Sequence, residues 1–185
     1  IPSVQVGVVD LASRAVTWLE TGDPGANYLA RIHWRGDGRK LAIERIDRKQ
    51  TRLDLLLCDP LRGACSPWAA QTASTWVNLG DDFHFLPDGG FVWGAEDSGW
   101  RRLDRYDGLG RRLRPLTPEG WALAGLDGVF DRGETAIVTQ EVEDHPRAGV
   151  FVGQRGAQLS LGHIDREAFD MILRQLLLGG VQIDI

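Results

Sequence analysis

The sequence predicts an all-β protein: a partial β-propeller of four-stranded antiparallel blades, with a short C-terminal helix. Short runs in which apolar and polar residues alternate follow one another through most of the chain. Gly, Asp or Pro occupies the gaps between these runs. The pattern returns roughly every forty to fifty residues, a period typical of propeller blades. Sheets of this kind cannot bury both faces alone and must stack on one another.

The stretch 76–117 shows the repeat most clearly. Its four predicted strands are 82–86, 91–95, 100–106 and 111–116. The turn Pro87-Asp88-Gly89-Gly90 separates the first two strands, and similar turns follow the first strand of the neighbouring repeats, at 34–38 and 130–133.

The same alternation of short strands and turns predicts the rest of the domain. The predicted propeller spans 1–163 and consists of a half blade at 1–20 and blades at 28–70, 76–117 and 123–163. The remaining residues, 164–185, are predicted as a helical tail, because Asp165 can cap a helix and Gly179-Gly180 can end it. The apolar face of this helix would pack on its own domain or form an oligomer contact.

The composition limits the kinds of partner that the protein can be expected to bind. The chain has 185 residues and a net charge of −5, with acidic and basic residues interleaved, which argues against nucleic acid. No apolar run has the length of a membrane span. The chain opens without Met inside a strand pattern, so we expect a trimmed product or a piece of a longer protein. Three and a half blades leave sheet edges that further blades, the tail or a second copy must cover.

Two cysteines, Cys58 and Cys65, flank the turn sequence 59–63. A hairpin there brings them nearly opposite one another, and two interpretations remain open. They are either free thiols packed as small apolar groups or a disulfide, which would indicate an extracytoplasmic compartment. Two cysteines without further ligands cannot fill a tetrahedral metal site, so we expect no metal.

The sequence contains no signature of a catalytic nucleophile. It has no Gly-x-Ser-x-Gly motif and no phosphate-binding loop, and we expect no catalytic residue and no cofactor. His33 and His84 occupy matching positions in their repeats, which favours a structural or surface role. The acidic pairs Asp81-Asp82 and Glu141/Glu143 fit exposed turns better than a catalytic carboxylate pair. The seven tryptophans fit packing in the core or between blades better than a sugar-binding face.

Several pieces of the chain resemble the propeller domain of dipeptidyl peptidase IV-type enzymes. The resemblance covers roughly 4–155. Its most specific pieces are Arg52-Leu53-Asp54, Trp76-Val77-Asn78 and the stretch 116–121. One departure is Thr51, where the family often has Asn. A cysteine pair around the same hairpin is also found in the family, which favours the disulfide between Cys58 and Cys65.

The resemblance implies a role without catalysis for this chain. Family members release dipeptides through a Ser-Asp-His triad in an α/β-hydrolase domain, which the propeller covers, and no counterpart of the triad is present here. The implied role is to restrict and shape the access of a peptide substrate to such a domain in cis. The segment 76–82 resembles a family loop near the distal substrate subsites. The resemblance thereby implies a substrate rim that includes Trp76, Asn78, Asp81 and Asp82. The alternative is a stand-alone TolB-like propeller that binds proteins or peptides.

Overall fold

The computed structural model describes residues 3–120, 122–130, 135–141 and 147–152. Throughout these residues the regular structure is β-strand, and they contain no helix. The strands are β1 Gly7–Val9, β2 Val16–Trp18, β3 Asn27–Trp34, β4 Leu41–Asp47, β5 Arg52–Cys58, β6 Cys65–Thr72, β7 Phe83–Phe85, β8 Phe91–Ala95, β9 Arg102–Tyr106, β10 Arg112–Pro115, β11 Ala122–Phe130, β12 Thr135–Glu141 and β13 Arg147–Val152. The end of the predicted blade at 123–163, from residue 153 onward, and the predicted helical tail lie outside the described residues.

The chain divides into two compact units. The first comprises Ile1–Leu79 with Leu109–Arg111, and the second comprises Gly80–Gly108 with Arg112–Ile185.

The first unit contains a β1-β2 hairpin and a four-stranded sheet in the order β3-β4-β5-β6, with all neighbours antiparallel. The central strands β4 and β5 are almost entirely buried, as their apolar sequences require. Strand β6 runs to Thr72, past the predicted end at residue 70. It tolerates Pro67 because an edge strand does not need every backbone N–H for pairing.

The core of this unit lies between the sheet and the β1-β2 hairpin. The sheet contributes four buried residues to this core, Leu41, Ile43, Leu56 and Cys58. Leu19 completes it, and it is covered by Val6 and Val8. Cys58 and Cys65 face each other across β5 and β6 and are joined by a disulfide. The loop that this disulfide closes holds the hairpin, because the Gly63 carbonyl accepts a 2.8 Å hydrogen bond from the Glu20 amide.

The second unit contains the meander β7-β8-β9-β10 and the three-stranded sheet β11-β12-β13. One face of the meander contributes Leu86, Val92 and Leu103 to a core shared with Leu123 and Val138. The residues that alternate with these carry an aromatic cluster of Phe83, Phe85, Phe91, Trp93 and Tyr106. In this cluster the Phe91 and Tyr106 rings stack at 4.6 Å between centroids.

The two four-stranded sheets share their turn chemistry. After the first strand of each sheet, Gly38 and Gly89 adopt left-handed φ angles of 69° and 86°. Each of these glycines donates its amide to a carbonyl three residues earlier, that of Arg35 in one sheet and Leu86 in the other. This equivalence supports the structural repeat inferred from the sequence.

The third strands of the two sheets also share an Arg-Leu-Asp sequence. In both strands, two arginine side chains lie beside the aspartate carboxylate. In β5, Asp54 accepts hydrogen bonds from Arg52 at 2.7 Å and from Arg45 at 2.6 Å. In β9, the Asp104 carboxylate lies 3.5 Å from Arg102 and 2.7 Å from Arg112. The second arginine comes from the second strand in one sheet and from the fourth in the other. Each third strand therefore places a carboxylate between two guanidinium groups.

Candidate functional site

The predicted rim loop begins with Trp76, which the first unit presents to solvent. Its neighbour Val77 is buried and donates its amide to the Gln50 carbonyl at 2.7 Å. The Trp76 residue is 60% exposed, and its indole Nε1 donates to the Asn78 side-chain oxygen at 3.0 Å. The indole is therefore exposed and has a fixed orientation, which lowers the entropy cost of stacking a ligand on it.

The turn beneath Val77 is itself well defined. Gln50 has a left-handed φ of 59°, and the Asp47 carboxylate accepts the amides of Thr51 and Arg52 at 2.8 and 2.9 Å. These backbone hydrogen bonds, with that of Arg52 the largest cause, lower the pKa of Asp47 below its ordinary value. Thr51 also donates its hydroxyl to the Asp47 carboxylate at 3.2 Å, so this side chain adds a polar contact within the turn.

Asp82 lies in the second unit and is buried, with 2% of its side chain exposed. Arg101 donates to both of its carboxylate oxygens, from Nη2 at 2.6 Å and from Nε at 2.9 Å. This geometry is the bidentate pairing in which arginine binds carboxylates most strongly. The expectation of an exposed acidic turn is therefore wrong for Asp82, whose charge is neutralised internally. Asp81 beside it is exposed.

Arg101 joins three parts of the second unit. Its Nη1 donates to Glu96 at 3.0 Å, and its carbonyl accepts the Leu123 amide at 2.7 Å. Burial by itself lowers the pKa of the Arg101 guanidinium, but its hydrogen bonds to Asp82 and the negative charges of Asp82 and Glu96 outweigh burial and raise that pKa. The residue is a permanent cation that ties the segment before β7 to the turn after β8.

The four predicted rim residues therefore belong to two different compact units. Trp76 and Asn78 contact each other in the first unit, while Asp81 and Asp82 belong to the second. Sequence patterns did not point to Arg101, because its partner Asp82 is 19 residues earlier in the chain. Only the pairing of β7, β8 and β9 brings them together.

The described histidines have different surroundings. The His33 Nε2 lies 3.1 Å from an oxygen of Glu44, a residue that is 1% exposed. Burial lowers the pKa of His84. In the described part of the chain, no three His, Cys, Asp or Glu residues cluster closely enough to hold a metal ion. His145, His163, Glu143 and Trp121 lie outside the described residues.

Four tryptophans of the described residues are exposed, so the expectation that the tryptophans are buried by packing holds for only part of them. Trp93 is buried and Trp68 is partly buried. The exposed ones are Trp18, Trp34, Trp76 and Trp100. Trp100, predicted to begin the third strand, lies instead on the turn before β9. No helix among the described residues is long and apolar enough to span a bilayer.

Successive antiparallel meanders of four strands, each with packing residues on both faces, define blades of the β-propeller class. The all-β propeller fold predicted from the sequence is confirmed by the described residues and by solved structures of the same fold.

The chain belongs to the family of the dipeptidyl peptidase IV N-terminal region, whose model matches residues 1–147. One solved structure of similar fold is described as a dipeptidyl aminopeptidase IV from Bacteroides ovatus. It has a TM-score of 0.72 and 18% identity, with 80% of this chain and 24% of that chain covered. Another is dipeptidyl peptidase 4 of Porphyromonas gingivalis, with a TM-score of 0.72, 21% identity, and 86% and 23% of the two chains covered. The chain thus spans about a quarter of the length of either protein.

Proposed function

We propose that this chain is the non-catalytic propeller segment of a dipeptidyl peptidase IV-like serine peptidase. Its role is to gate and shape the access of peptides to an α/β-hydrolase domain carried elsewhere in the same protein. The observation that carries this proposal is the match of residues 1–147 to the N-terminal region of that family. The small share of the solved relatives that the chain covers supports it, because most of such a protein would be other structure.

Trp76 and Asn78 are the substrate-rim residues in the first unit under this proposal. The exposed indole, oriented by its hydrogen bond to Asn78, offers a flat apolar surface to proline or an aromatic side chain of a peptide. Asp81 supplies an exposed carboxylate in the second unit, and Asp82 contributes indirectly by anchoring the segment to Arg101. The substrate class is a peptide with an unfolded N-terminus.

The proposed location is extracytoplasmic, either periplasmic or secreted. The supporting observation is the disulfide between Cys58 and Cys65, because disulfides persist mainly in oxidising compartments. The proposed partners are the hydrolase domain in cis and a second copy of the protein that covers open blade edges.

The gating role is tested on the full-length protein with two substrates that share one N-terminal sequence containing proline at position two. One substrate is a short peptide, and the other is a folded protein whose N-terminus is held close to its surface. We expect kcat/KM for the folded substrate to be lower by about a hundredfold or more, because a gate admits only extended chain. Unfolding the same protein should restore cleavage. Equal cleavage of the folded and unfolded forms would contradict gating.

A stand-alone TolB-like module is distinguished by the reading frame. A downstream Gly-x-Ser-x-Gly-Gly sequence supports the peptidase assignment. A stop codon shortly after Ile185 supports the binding module instead.

A further inference from the structure

The turn between β8 and β9, residues 96–101, presents a second exposed tryptophan. Trp100 is 56% exposed. The Gly99 amide donates to the Glu96 carbonyl at 3.0 Å, with Gly99 in a left-handed conformation, and the Ser98 hydroxyl donates to the Trp100 carbonyl at 3.2 Å. Hydrogen bonds within the turn therefore hold the backbone that carries the Trp100 indole.

Arg101 fixes the position of that turn. It follows Trp100 directly and makes three side-chain hydrogen bonds, two to Asp82 and one to Glu96. With 15% of its side chain exposed, it is held in place on the protein side of the turn while Trp100 faces solvent. An aromatic side chain on a rigid support loses little entropy when a ligand binds.

The strand directions place this turn beside the end of the proposed rim segment. Strands β7 and β9 are both antiparallel to β8 and therefore run in the same direction. The first residues of both strands lie at the same end of the sheet. Asp82 immediately precedes β7, and its hydrogen bonds to Arg101 join the two starts directly. Within the second unit, the turn that carries Trp100 is therefore anchored through Arg101 to Asp82, the last residue of the proposed rim segment.

We propose that Trp100 is a further substrate-binding residue, which stacks on a proline or aromatic side chain of the peptide beyond the dipeptide that is released. Arg101 acts as its positioning residue, through the bonds to Asp82 and Glu96. This inference rests on the proposed peptidase function. It adds a specificity determinant outside the segment 76–82.

The test uses the full-length protein, a chromogenic Gly-Pro substrate and a hexapeptide with the same first two residues and a proline at position five. We expect Trp100→Ala to raise KM for the hexapeptide about fivefold, the loss of one aromatic contact, while KM for the chromogenic substrate stays within twofold. Trp100→Phe should keep most of the hexapeptide affinity. Trp34→Ala, which removes a tryptophan that is 52% exposed in the first unit, is the matched control and should change neither KM.

Arg101→Lys keeps the positive charge but cannot make the two-pronged contact with Asp82. It should raise the hexapeptide KM in the same direction as Trp100→Ala and change the chromogenic-substrate KM less, so the ratio of the two KM values separates a positioning role from a general loss of folded protein. Arg105→Lys, which alters the ion pair with Asp88 in the same sheet, is its control. An unchanged hexapeptide KM in Trp100→Ala, or equal changes for both substrates, would overturn the inference. Failure of the wild-type protein to release the dipeptide from either substrate would instead refute the proposed function, and the inference with it.

Discussion

The Asp82 carboxylate occupies the space where a side chain at Gly94 would lie. A Cβ atom placed on Gly94 would overlap Asp82 Oδ2, and the Gly94 amide donates to the Asp82 carbonyl at 3.2 Å. Gly80 is constrained in the same way, because a Cβ there would overlap the Arg101 guanidinium. The buried ion pair of the second unit therefore fills space that two glycines leave open.

Replacing Gly94 should destabilise the second unit strongly. Gly94→Ala forces Asp82 away from its bonds with Arg101, and disruption of a buried ion pair costs about 3 kcal/mol or more of unfolding free energy. Gly125→Ala is the matched control, because Gly125 also lies in a strand of this unit and a Cβ there meets no atom within 4 Å. Urea unfolding measures both. Similar stability losses in the two variants would show that Asp82 moves aside readily.

The disulfide should stabilise mainly the β1-β2 hairpin. Loop entropy assigns the bond between Cys58 and Cys65 about 2–3 kcal/mol. In a Cys58→Ala/Cys65→Ala variant we expect amide hydrogen exchange to increase most at Leu19 and Glu20, which donate to Val6 and Gly63. Wild-type protein under reducing conditions tests the same bond without a sequence change. Faster amide hydrogen exchange to the same extent across both units would contradict this local role of the disulfide.

Asp104 should make stability depend on pH in a specific direction. Burial raises its pKa above the ordinary value of 3.8, although Arg112 and Arg102 oppose that effect. The folded state therefore holds this proton more tightly than the unfolded state does. The stabilisation from Asp104 is complete below pH 3.8 and is lost as pH rises through the raised pKa.

The measurement for Asp104 is the unfolding free energy of the wild type minus that of Asp104→Asn, at a series of pH values upward from 3.8. This difference should fall with increasing pH. If it rises instead, the two arginines dominate over burial and the pKa is lowered.

Trp76 should contribute to the affinity for peptides in the full-length protein. Its exposed indole can be removed without disturbing the core, so we expect Trp76→Ala to keep wild-type stability. The inhibition constant of a non-cleavable proline-containing tetrapeptide should rise about fivefold, the loss of one stacking contact. Asn78→Ala should have a smaller effect, because it removes only the group that orients the indole. Unchanged inhibition in Trp76→Ala would remove this residue from the rim.

Local sequence predicted the strands well where turn residues bound them sharply. The bounds of β8 match the predicted strand 91–95, since turns rich in Gly and Asp flank this strand on both sides. Trp100 was misplaced because apolar alternation continues through it, whereas the chain does not pair until Arg102. Alternation describes side-chain polarity and cannot show where backbone pairing starts.

The candidate site was only partly predictable, for a different reason. The resemblance drew attention to Trp76 and Asn78, and the structure joins them by a hydrogen bond. It gave no indication that Asp82 is buried against Arg101, because this contact depends on strand register and on the absence of side chains at Gly80 and Gly94. A contact across three strands is not encoded in any single segment.

The non-catalytic role of this segment is tested by the rate of Gly-Pro release from a chromogenic substrate, measured side by side for the 185-residue chain and for the full-length protein. We expect release by the full-length protein and none above background by the 185-residue chain. Release at comparable rates by both would contradict it, because the chemistry would then reside in this segment.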